Sequence, residues 1–252
     1  MAAYSIMARF YDEFTDDVPY QQWAAFLKQI FDRFGVQPEL VLDLACGTGS
    51  LTKLLAEDGY DMIGVDMSPD MLAVAAGKTG MMEKRPMFLC QRMETLDLYG
   101  TVDAAVCALD SVNYLADLAS LGTALDRVGL FLNDGGLFVF DVNTDEKFRA
   151  MDTQVYVRES EDCFCAWQAD YDEDARLMHY LLDFFARIGG TKYQRYTENH
   201  TERAHTREEL TAALDHAQMD LLGVFGELTM QDPASGEQRV FYVARRRERQ
   251  AD

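Results

Sequence analysis

A chain of 252 residues is long enough for one large hydrophobic core, or for a core with a small subdomain. Its formal net charge of −20 is unusual for a domain of this size, and nucleic acid backbones repel such an acidic protein. We therefore expect no nucleic acid partner, and we expect the basic run Arg245-Arg246-Arg247 to be a solvated tail.

Cysteine usage and targeting signals bear on the compartment. The sequence contains 5 cysteines, an odd number without CxxC spacing, which predicts free thiols instead of a disulfide or zinc framework. No apolar signal core is found around Arg9, and no run approaches about 18 apolar residues. We predict a cytoplasmic protein that has no membrane partner.

The N-terminal segment is predicted to be helical. Residues 16–19 are typical of a helix start, and apolar side chains then recur at three- and four-residue steps from Trp23 to Phe34, until Gly35 ends the helix. Aromatic residues flank this helix in segments that are predicted to be irregular, and they are Tyr4, Tyr11 and Tyr20.

The chain is organised around residues 41–50. A short buried strand enters a glycine-rich turn, and leucines at helical spacing then predict a helix that Gly59 ends. Such strand–turn–helix units bring the backbone close to nucleotide-like ligands. The turn lacks the Lys-Ser or Lys-Thr end of a phosphate-binding P-loop. Asp43 in the strand would repel a pyrophosphate and favour a cationic ligand.

The second predicted strand, residues 60–65, ends in Asp66, 19 residues beyond Gly47. A carboxylate at this position can accept hydrogen bonds from both hydroxyls of a ribose. The glycines do not fit the G-x-G-x-x-G fingerprint of dinucleotide enzymes, because Thr52 occupies the third glycine position. An oxidoreductase on this kind of sheet is therefore disfavoured.

Strands and helices continue to alternate up to residue 143. The further predicted strands are residues 86–90, 101–109 and 137–143. Ser68 and Leu118 begin the intervening helices, and the nearly continuous apolar run of 101–109 is typical of a central parallel strand buried on both faces. Ligands bind at the carboxyl ends of such strands, so we expect the segment that begins at Asp110 to face one.

Residues 151–205 break this alternation. Polar turns separate four strand-like segments, which predict an antiparallel subdomain inserted after the fifth strand. These segments are residues 155–160, 163–170, 177–186 and 193–203. The Asp170-x-Asp172-x-Asp174 turn lacks the glycine and glutamate of a calcium loop, so we expect no metal site. A capping box at Thr206 opens another helix, and a last strand pair follows at residues 221–229 and 239–245.

The acidic residue and alternate small residues of the first turn, followed by Asp66, resemble the first motif of the class I S-adenosylmethionine-dependent methyltransferases. Ala45 stands where that family usually has glycine. The resemblance implies an α/β fold with a doubly wound, mostly parallel seven-stranded sheet that ends in a β-hairpin. We expect a helical lid and the first part of the cofactor-binding domain in residues 1–150, an antiparallel insertion in 151–205, and the remainder of the cofactor-binding domain in 206–252.

The resemblance also implies S-adenosyl-L-methionine as cofactor, with S-adenosyl-L-homocysteine as product. Residues expected at the cofactor are Tyr11, Asp43, Ala45, Gly47, Gly49, Asp66, Met67, Arg92, Met93 and Asp110. The lid would supply Tyr11, and Asp66 would bind the ribose. Arg92 occupies a position where the family often has an acid that binds the adenine amino group, and arginine cannot accept a hydrogen bond. Either Glu94 replaces that acid or backbone groups bind the adenine.

Candidates for the acceptor side are less specific. Strand alternation puts Glu198, His200 and Glu202 on one face, where the carboxylates would raise the basicity of the histidine. A solvated polar sheet face is the simpler interpretation of the same pattern. We assign catalytic contacts to His200 and Tyr114. Substrate contacts are assigned to Tyr20, Asn113, Trp167 and Arg203.

The predicted function is methyl transfer to nitrogen or oxygen of a small-molecule acceptor. A protein methyltransferase is an alternative, since an acidic surface would suit a basic tail. A non-catalytic partner protein that binds S-adenosylmethionine is another, and a closed or filled acceptor pocket would identify it. The sequence does not determine the acceptor or the oligomeric state, although a homodimer is possible.

Overall fold

Strands buried on both faces occupy the middle of the molecule. The computed structural model describes residues 6–249, so Tyr4 lies outside the described part. The first sheet contains β1 (Leu40–Leu44), β2 (Asp61–Asp66), β3 (Met87–Cys90), β4 (Val102–Cys107), β5 (Leu132–Asn143), β10 (Met219–Gly226) and β11 (Arg239–Arg246). The second sheet contains β6 (Val155–Glu159), β7 (Cys163–Asp172), β8 (Leu177–Gly189) and β9 (Lys192–Arg203).

Seven α-helices are assigned within residues 6–249. They are α1 (Met7–Phe14), α2 (Tyr20–Arg33), α3 (Ser50–Glu57), α4 (Pro69–Thr79), α5 (Leu118–Phe131), α6 (Asp145–Met151) and α7 (Arg207–His216). Two short 3-10 helices, Met93–Thr95 and Ser111–Tyr114, follow β3 and β4. Side-chain caps define several helix starts as the sequence predicted, including Ser68 before α4 and the capping box of Thr206 before α7.

The seven-stranded sheet has the predicted doubly wound topology. Its spatial order is β10-β11-β5-β4-β1-β2-β3. Neighbours from β5 to β3 pair in parallel, whereas β11 pairs antiparallel with both β5 and β10. The chain runs outward from β1 in one direction and resumes on its other side at β4. Ligands of such sheets bind outside the carboxyl ends of the strands at this switch point.

Side chains of the central strands point alternately to two apolar layers. Leu42 and Leu44 pack in a cluster with α5 and α7, whereas Val41 packs in a cluster with α2 and α3. This explains the nearly continuous apolar runs, since each central strand must bury both of its faces. The sheet therefore presents its strand ends, not its faces, to a ligand.

The second sheet is antiparallel, as predicted, with the order β6-β7-β8-β9. One face carries a third apolar cluster that includes Phe10 and Phe14 of α1 and Phe148 of α6. The rings of Phe14 and Phe184 stack with centroids 6.4 Å apart. The inner face of this sheet, as we call that apolar face, is thus covered by the N-terminal helix. The domain limits 1–150, 151–205 and 206–252 stay a prediction.

Several local predictions were wrong. Tyr11 lies within α1 and Tyr20 begins α2, so neither is in an irregular segment. β5 begins at Leu132, because Leu132 already pairs with Val102 before an irregularity in the register. The basic run is not a solvated tail: Arg245 and Arg246 end β11, and Arg247 pairs with two aspartates.

No helix within residues 6–249 combines the length and apolarity that a membrane span requires. The same part of the chain has no group of three or more His, Cys, Asp or Glu side chains placed to hold a metal ion.

Gly49 provides a test of how the glycine turn packs on α4. Its φ is +71°, and a Cβ there would lie 2.9 Å from the Cβ of Ala75. Gly35 has a similar φ of +68° but open space around it. We expect Gly49→Ala to lower the free energy of unfolding by about 3 kcal/mol and Gly35→Ala by about 1 kcal/mol, as measured by urea denaturation. Equal losses would show that α4 yields to the methyl group.

Candidate functional site

The switch point of the sheet opens into a cavity of about 530 Å³ that extends to the inner face of the second sheet. Met7, Tyr11 and Phe14 of α1 form part of its wall. We call one part the turn half, which is lined by Ala45, Gly47, Asp66, Met67 and residues 91–94. The other part is the sheet half, which is lined by Tyr114, Lys147, Trp167, Tyr180, His200 and Glu202.

Asp66 is held in place by the backbone of the turn half. Its Oδ2 accepts a hydrogen bond from the Gly47 amide at 2.9 Å, and its Oδ1 accepts one from the Ser68 amide at 2.8 Å. Burial raises the pKa of Asp66, and these amide hydrogen bonds oppose the rise. A carboxylate has about four acceptor positions, so both oxygens keep capacity for a ribose diol. The fit to the expected nucleoside is therefore good.

The turn itself adopts a strained backbone. Ala45 has a φ of 60°, in the left-handed region that glycine prefers, and Gly47 has a φ of 53°. Ala45 lines the cavity, so its methyl group lies beside any ligand of the turn half. Gly49 is not among the cavity-lining residues and instead allows the close approach of Ala75. Of the predicted small residues, Ala45 and Gly47 face the site, and Gly49 supports it through packing.

Asp43 lies beneath the turn. Its Oδ2 accepts a hydrogen bond from the Thr52 hydroxyl at 2.5 Å, and it is 2% exposed. Burial raises the pKa of Asp43 to about 7, although the bond from Thr52 opposes the rise. Asp43 and Tyr20 line a small separate cavity of about 30 Å³ beside the turn. Asp43 and Tyr20 therefore lie beside the glycine turn and do not line the main cavity.

Sulfur and charged side chains form the other end of the turn half. Met67, which is 44% exposed, and Met93 both line the cavity and offer polarisable apolar faces for a flat ring. Arg92 forms an ion pair with Glu94 at 3.0 Å, and both residues face the cavity. Arg92 therefore holds the Glu94 carboxylate, which can accept a hydrogen bond, on the cavity wall that includes both methionines. That Glu94 replaces the usual acid stays a prediction.

The sequence analysis missed a buried ion cluster at the base of the cavity. Arg239 Nη2 donates to Asp110 Oδ1 at 2.6 Å, and its Nη1 binds Asp141. The amide of Asp110 also donates to Asp141 Oδ2 at 2.9 Å. Burial raises the pKa of Asp141 to about 6, against the opposing charge of Arg239. Pairing of the last strand with β5 places Arg239 opposite Asn143, so the topology could have indicated this contact.

Lys147 and Glu202 of the sheet half both bind the side chain of Asn143. Lys147 Nζ donates to Asn143 Oδ1 at 2.9 Å, and Asn143 Nδ2 donates to Glu202 Oε2 at 3.4 Å. Burial, followed by the charge of Asp110, raises the pKa of Glu202 well above its usual value. Burial and the charge of Arg239 lower the pKa of Lys147. Asn143 thus joins a carboxyl and an amine at the wall of the sheet half.

The two predicted catalytic residues lie together in the sheet half. His200 is 6% exposed, and its ring meets that of Tyr114 edge-on, with centroids 5.9 Å apart. His200 Nε2 lies 3.3 Å from Glu198 Oε2. The solvated-face interpretation of this strand is wrong, because Glu198, His200 and Glu202 are all buried.

The structure places the predicted substrate residues in different surroundings. Trp167 lines the sheet half. Asn113 does not, since its amide is used to join Asn143 and the carbonyl of Arg203. The Arg203 side chain turns away to Glu209 at 2.9 Å. Asn113 and Arg203 therefore join the two sheets, neither lines the cavity, and their contacts with a substrate stay a prediction. The sequence could not show this because each contact joins distant segments.

Asp66 should dominate binding of the cofactor that the resemblance implies. We expect Asp66→Ala to weaken binding of S-adenosylhomocysteine by about 2 kcal/mol, roughly 30-fold, because a buried charged hydrogen-bond acceptor is lost. Isothermal titration calorimetry measures this directly. The matched control is Asp61→Asn, an exposed aspartate of the same strand, which should bind as wild type does. Binding by Asp66→Ala within twofold of wild type would contradict the assignment.

Asp43 should make stability fall as pH rises. Its pKa is about 7 in the folded protein and 3.8 for an unperturbed aspartate, so the folded state holds more protons between these values. The free energy of unfolding of wild type relative to Asp43→Asn should decrease by at most about 4 kcal/mol from pH 4 to pH 8. Urea denaturation without cofactor tests this, and Asp61→Asn should show no such trend. A constant difference would mean that the Asp43 carboxyl titrates normally.

Comparison with known proteins agrees with this geometry. Residues 41–136 match the family model described as a methyltransferase domain. YqeM of Bacillus subtilis (strain 168), which is named as a putative methyltransferase, is 30% identical over 246 residues, covering 96% of this chain and 97% of the relative.

Solved structures extend the agreement over the whole fold. An S-adenosylmethionine-dependent methyltransferase from Clostridium acetobutylicum ATCC 824 is 28% identical with a TM-score of 0.86, covering 97% of this chain and 99% of that chain. The sugar N-methyltransferase KedS8 from Streptoalloteichus sp ATCC 53650 is 24% identical with a TM-score of 0.77, covering 94% and 93%, and shows the same fold. Together with the cavity and Asp66, these similarities establish that the chain belongs to the class I S-adenosylmethionine-dependent methyltransferases.

Proposed function

We propose that this methyltransferase transfers a methyl group to nitrogen or oxygen of a small molecule bound in the sheet half of the cavity. The observation that carries the proposal is that the cavity extends beyond the turn half into the sheet half, which has its own polar groups. The whole cavity of about 530 Å³ lies within the range of small-molecule sites. KedS8, which is named as a sugar N-methyltransferase, has the same fold, and this supports a small acceptor.

The covering helix also favours a small acceptor. Asp12 of α1 binds the Thr48 hydroxyl at 2.6 Å and Lys78 at 2.8 Å, so α1 is tied to the glycine turn and to α4. Arg158 on β6 pairs with Asp17 at 2.6 Å just beyond α1. A protein substrate would need a groove for its chain, whereas these ties hold α1 over part of the cavity. The space in the sheet half equally gives no support to a non-catalytic partner protein.

S-adenosylmethionine would supply an activated methyl group, and transfer requires an acceptor nucleophile in line with the methyl–sulfur bond, so that S-adenosylhomocysteine is the leaving group. The protein must therefore exclude water, orient the acceptor and receive its proton. We assign the proton to His200, since the adjacent Glu198 carboxylate stabilises charge on the ring. Burial raises the pKa of Glu202, and Asn143 already donates to its Oε2, so we assign Glu202 to hydrogen bonding with the acceptor. Tyr114 supports His200 through ring packing.

Partners and compartment follow the same proposal. The net charge of −20 supports the absence of a nucleic acid substrate. The cysteines of the described chain are free, which supports a reducing compartment such as the cytoplasm. A homodimer stays a possibility that the sequence raised.

Transfer of tritium from labelled S-adenosylmethionine tests the acceptor class. A bacterial extract is separated by ultrafiltration into small molecules and macromolecules, and each fraction is incubated with the enzyme. We expect labelled products in the small-molecule fraction. His200→Ala should lower kcat on the purified acceptor by roughly 100-fold, as loss of a general base does. His216→Ala, at an exposed histidine on α7, is the matched control and should leave kcat unchanged.

Two results would contradict the proposal. Label found in protein or RNA alone would favour a macromolecular acceptor. Unchanged turnover in both His200→Ala and Tyr114→Phe would remove these residues from the reaction while leaving the small-molecule acceptor intact.

A further inference from the structure

Glu198 connects the N-terminal helix to the second sheet. Its side chain is buried on the inner face, and its Oε1 accepts hydrogen bonds from the amides of Ile6 at 3.0 Å and Met7 at 3.4 Å. These amides begin α1, and the N-cap position supplies no capping side chain of its own. A carboxylate here satisfies amides that a helix start leaves unpaired and interacts favourably with the helix dipole. β9 therefore caps α1 across 192 residues of sequence.

The second oxygen of the same carboxylate contacts His200, which lines the sheet half of the cavity. Glu198 Oε2 lies 3.3 Å from Nε2 of His200, two residues further along β9. The ring of His200 lines the cavity and packs edge-on against Tyr114. Burial opposes ionisation of Glu198, but the hydrogen bonds from His200 and the two amides outweigh it and lower the pKa of Glu198. An ionised carboxylate thus joins the helix start to the histidine.

The same helix also forms a wall of the turn half. Tyr11 and Phe14 face the cavity from α1, while Asp12 ties the helix to Thr48 in the glycine turn and to Lys78 on α4. A ligand in the turn half therefore meets a helix whose first amides are bound to Glu198. The Asp12 tether holds the helix to the first sheet, and the Glu198 tether holds it to the second sheet beside His200.

We propose that Glu198 is a positioning residue that makes the orientation of His200 depend on the seating of α1. With α1 seated, two amides fix Oε1, so Oε2 is directed at the imidazole. When α1 lifts, Oε1 loses the amides of Ile6 and Met7, which weakens the restraint on the carboxylate and, through Oε2, on the orientation of the ring. Seating of the helix over the turn half is thus transmitted to the sheet half. The proposal concerns residues of this chain and is independent of the identity of the acceptor.

Two simpler roles predict different behaviour. If Glu198 only caps α1, disturbing the helix from elsewhere leaves His200 unchanged. If Glu198 only orients His200, loss of Glu198 leaves the helix start unchanged. Coupling requires that a change on one side be detected on the other, and that the effect pass through Glu198.

A double-mutant cycle measures this coupling without an activity assay. Asp12→Lys places a like charge beside Lys78 and loosens α1 at the tether that does not involve Glu198. Glu198→Ala removes the link, and the double variant combines the two changes. Hydrogen exchange at the amides of Ile6 and Met7 reports the helix start. The ¹³C-labelled ring resonance of His200, assigned with His200→Gln, reports the cavity, in protein saturated with S-adenosylhomocysteine.

Both single variants should exchange the Ile6 and Met7 amides about fivefold faster than wild type, as expected for loss of one helix cap or tether. Both should also shift the His200 resonance. In the double variant, Asp12→Lys should cause no further shift, because the link is already absent. Asp61→Lys, which sets a like charge beside Lys84 on β2, is the matched control and should leave both signals unchanged.

Three outcomes would overturn the proposal. Faster exchange in Asp12→Lys with an unmoved His200 resonance would show that the helix and the ring are uncoupled. A full Asp12→Lys shift that persists in the double variant would show a coupling that bypasses Glu198. Unchanged exchange in both single variants would show that α1 stays seated without these tethers. If Glu198→Ala fails to fold, Glu198→Met, which keeps the size of the side chain but removes both acceptor oxygens, takes its place in the cycle.

Discussion

Four aspartates lie at the carboxyl-end side of the central strands, and the site depends on how the negative charge of each is stabilised. Asp43, Asp66, Asp110 and Asp141 lie at or just beyond the carboxyl ends of β1, β2, β4 and β5. Asp66 is held by amides, and Arg239 binds both Asp110 and Asp141. Asp43 is left with a hydroxyl, so burial raises its pKa to about 7. An edge of this kind suits a cofactor with a positive charge, because the ligand relieves repulsion that the protein alone only partly cancels.

The second sheet forms a further wall of the cavity at these strand ends. Its inner face is apolar towards α1 but carries His200 and Glu202 at the cavity and Glu198 at the start of α1. Burial of these groups has a desolvation cost, which is offset only by specific partners such as Asn143 and the first amides of α1. The insertion therefore does more than cover the cofactor. It brings His200 and Glu202 to the wall of the cavity.

The N-terminal helix contacts both parts of the molecule. Asp12 reaches the glycine turn, Glu198 holds the helix start, and Phe14 stacks on Phe184 of the second sheet. These ties are individually modest, since Asp12 and Lys78 are partly exposed. A helix of 8 residues is marginal on its own, so its position depends on tertiary contacts. Such an element suits a cover that can open for a ligand.

The sequence by itself determined the sheet, the glycine turn and the position of Asp66, because periodicity, caps and strand ends are local signals. It also indicated His200 and Tyr114, which the fold brings together. Only the tertiary structure decided that Asn113 and Arg203 join the sheets, that Arg239 binds Asp110 across 129 residues, and that Glu198 caps α1. These contacts depend on which distant segments become neighbours, and no local pattern contains that information, since a polar side chain in a strand has the same sequence signature whether its partner is water or a helix start.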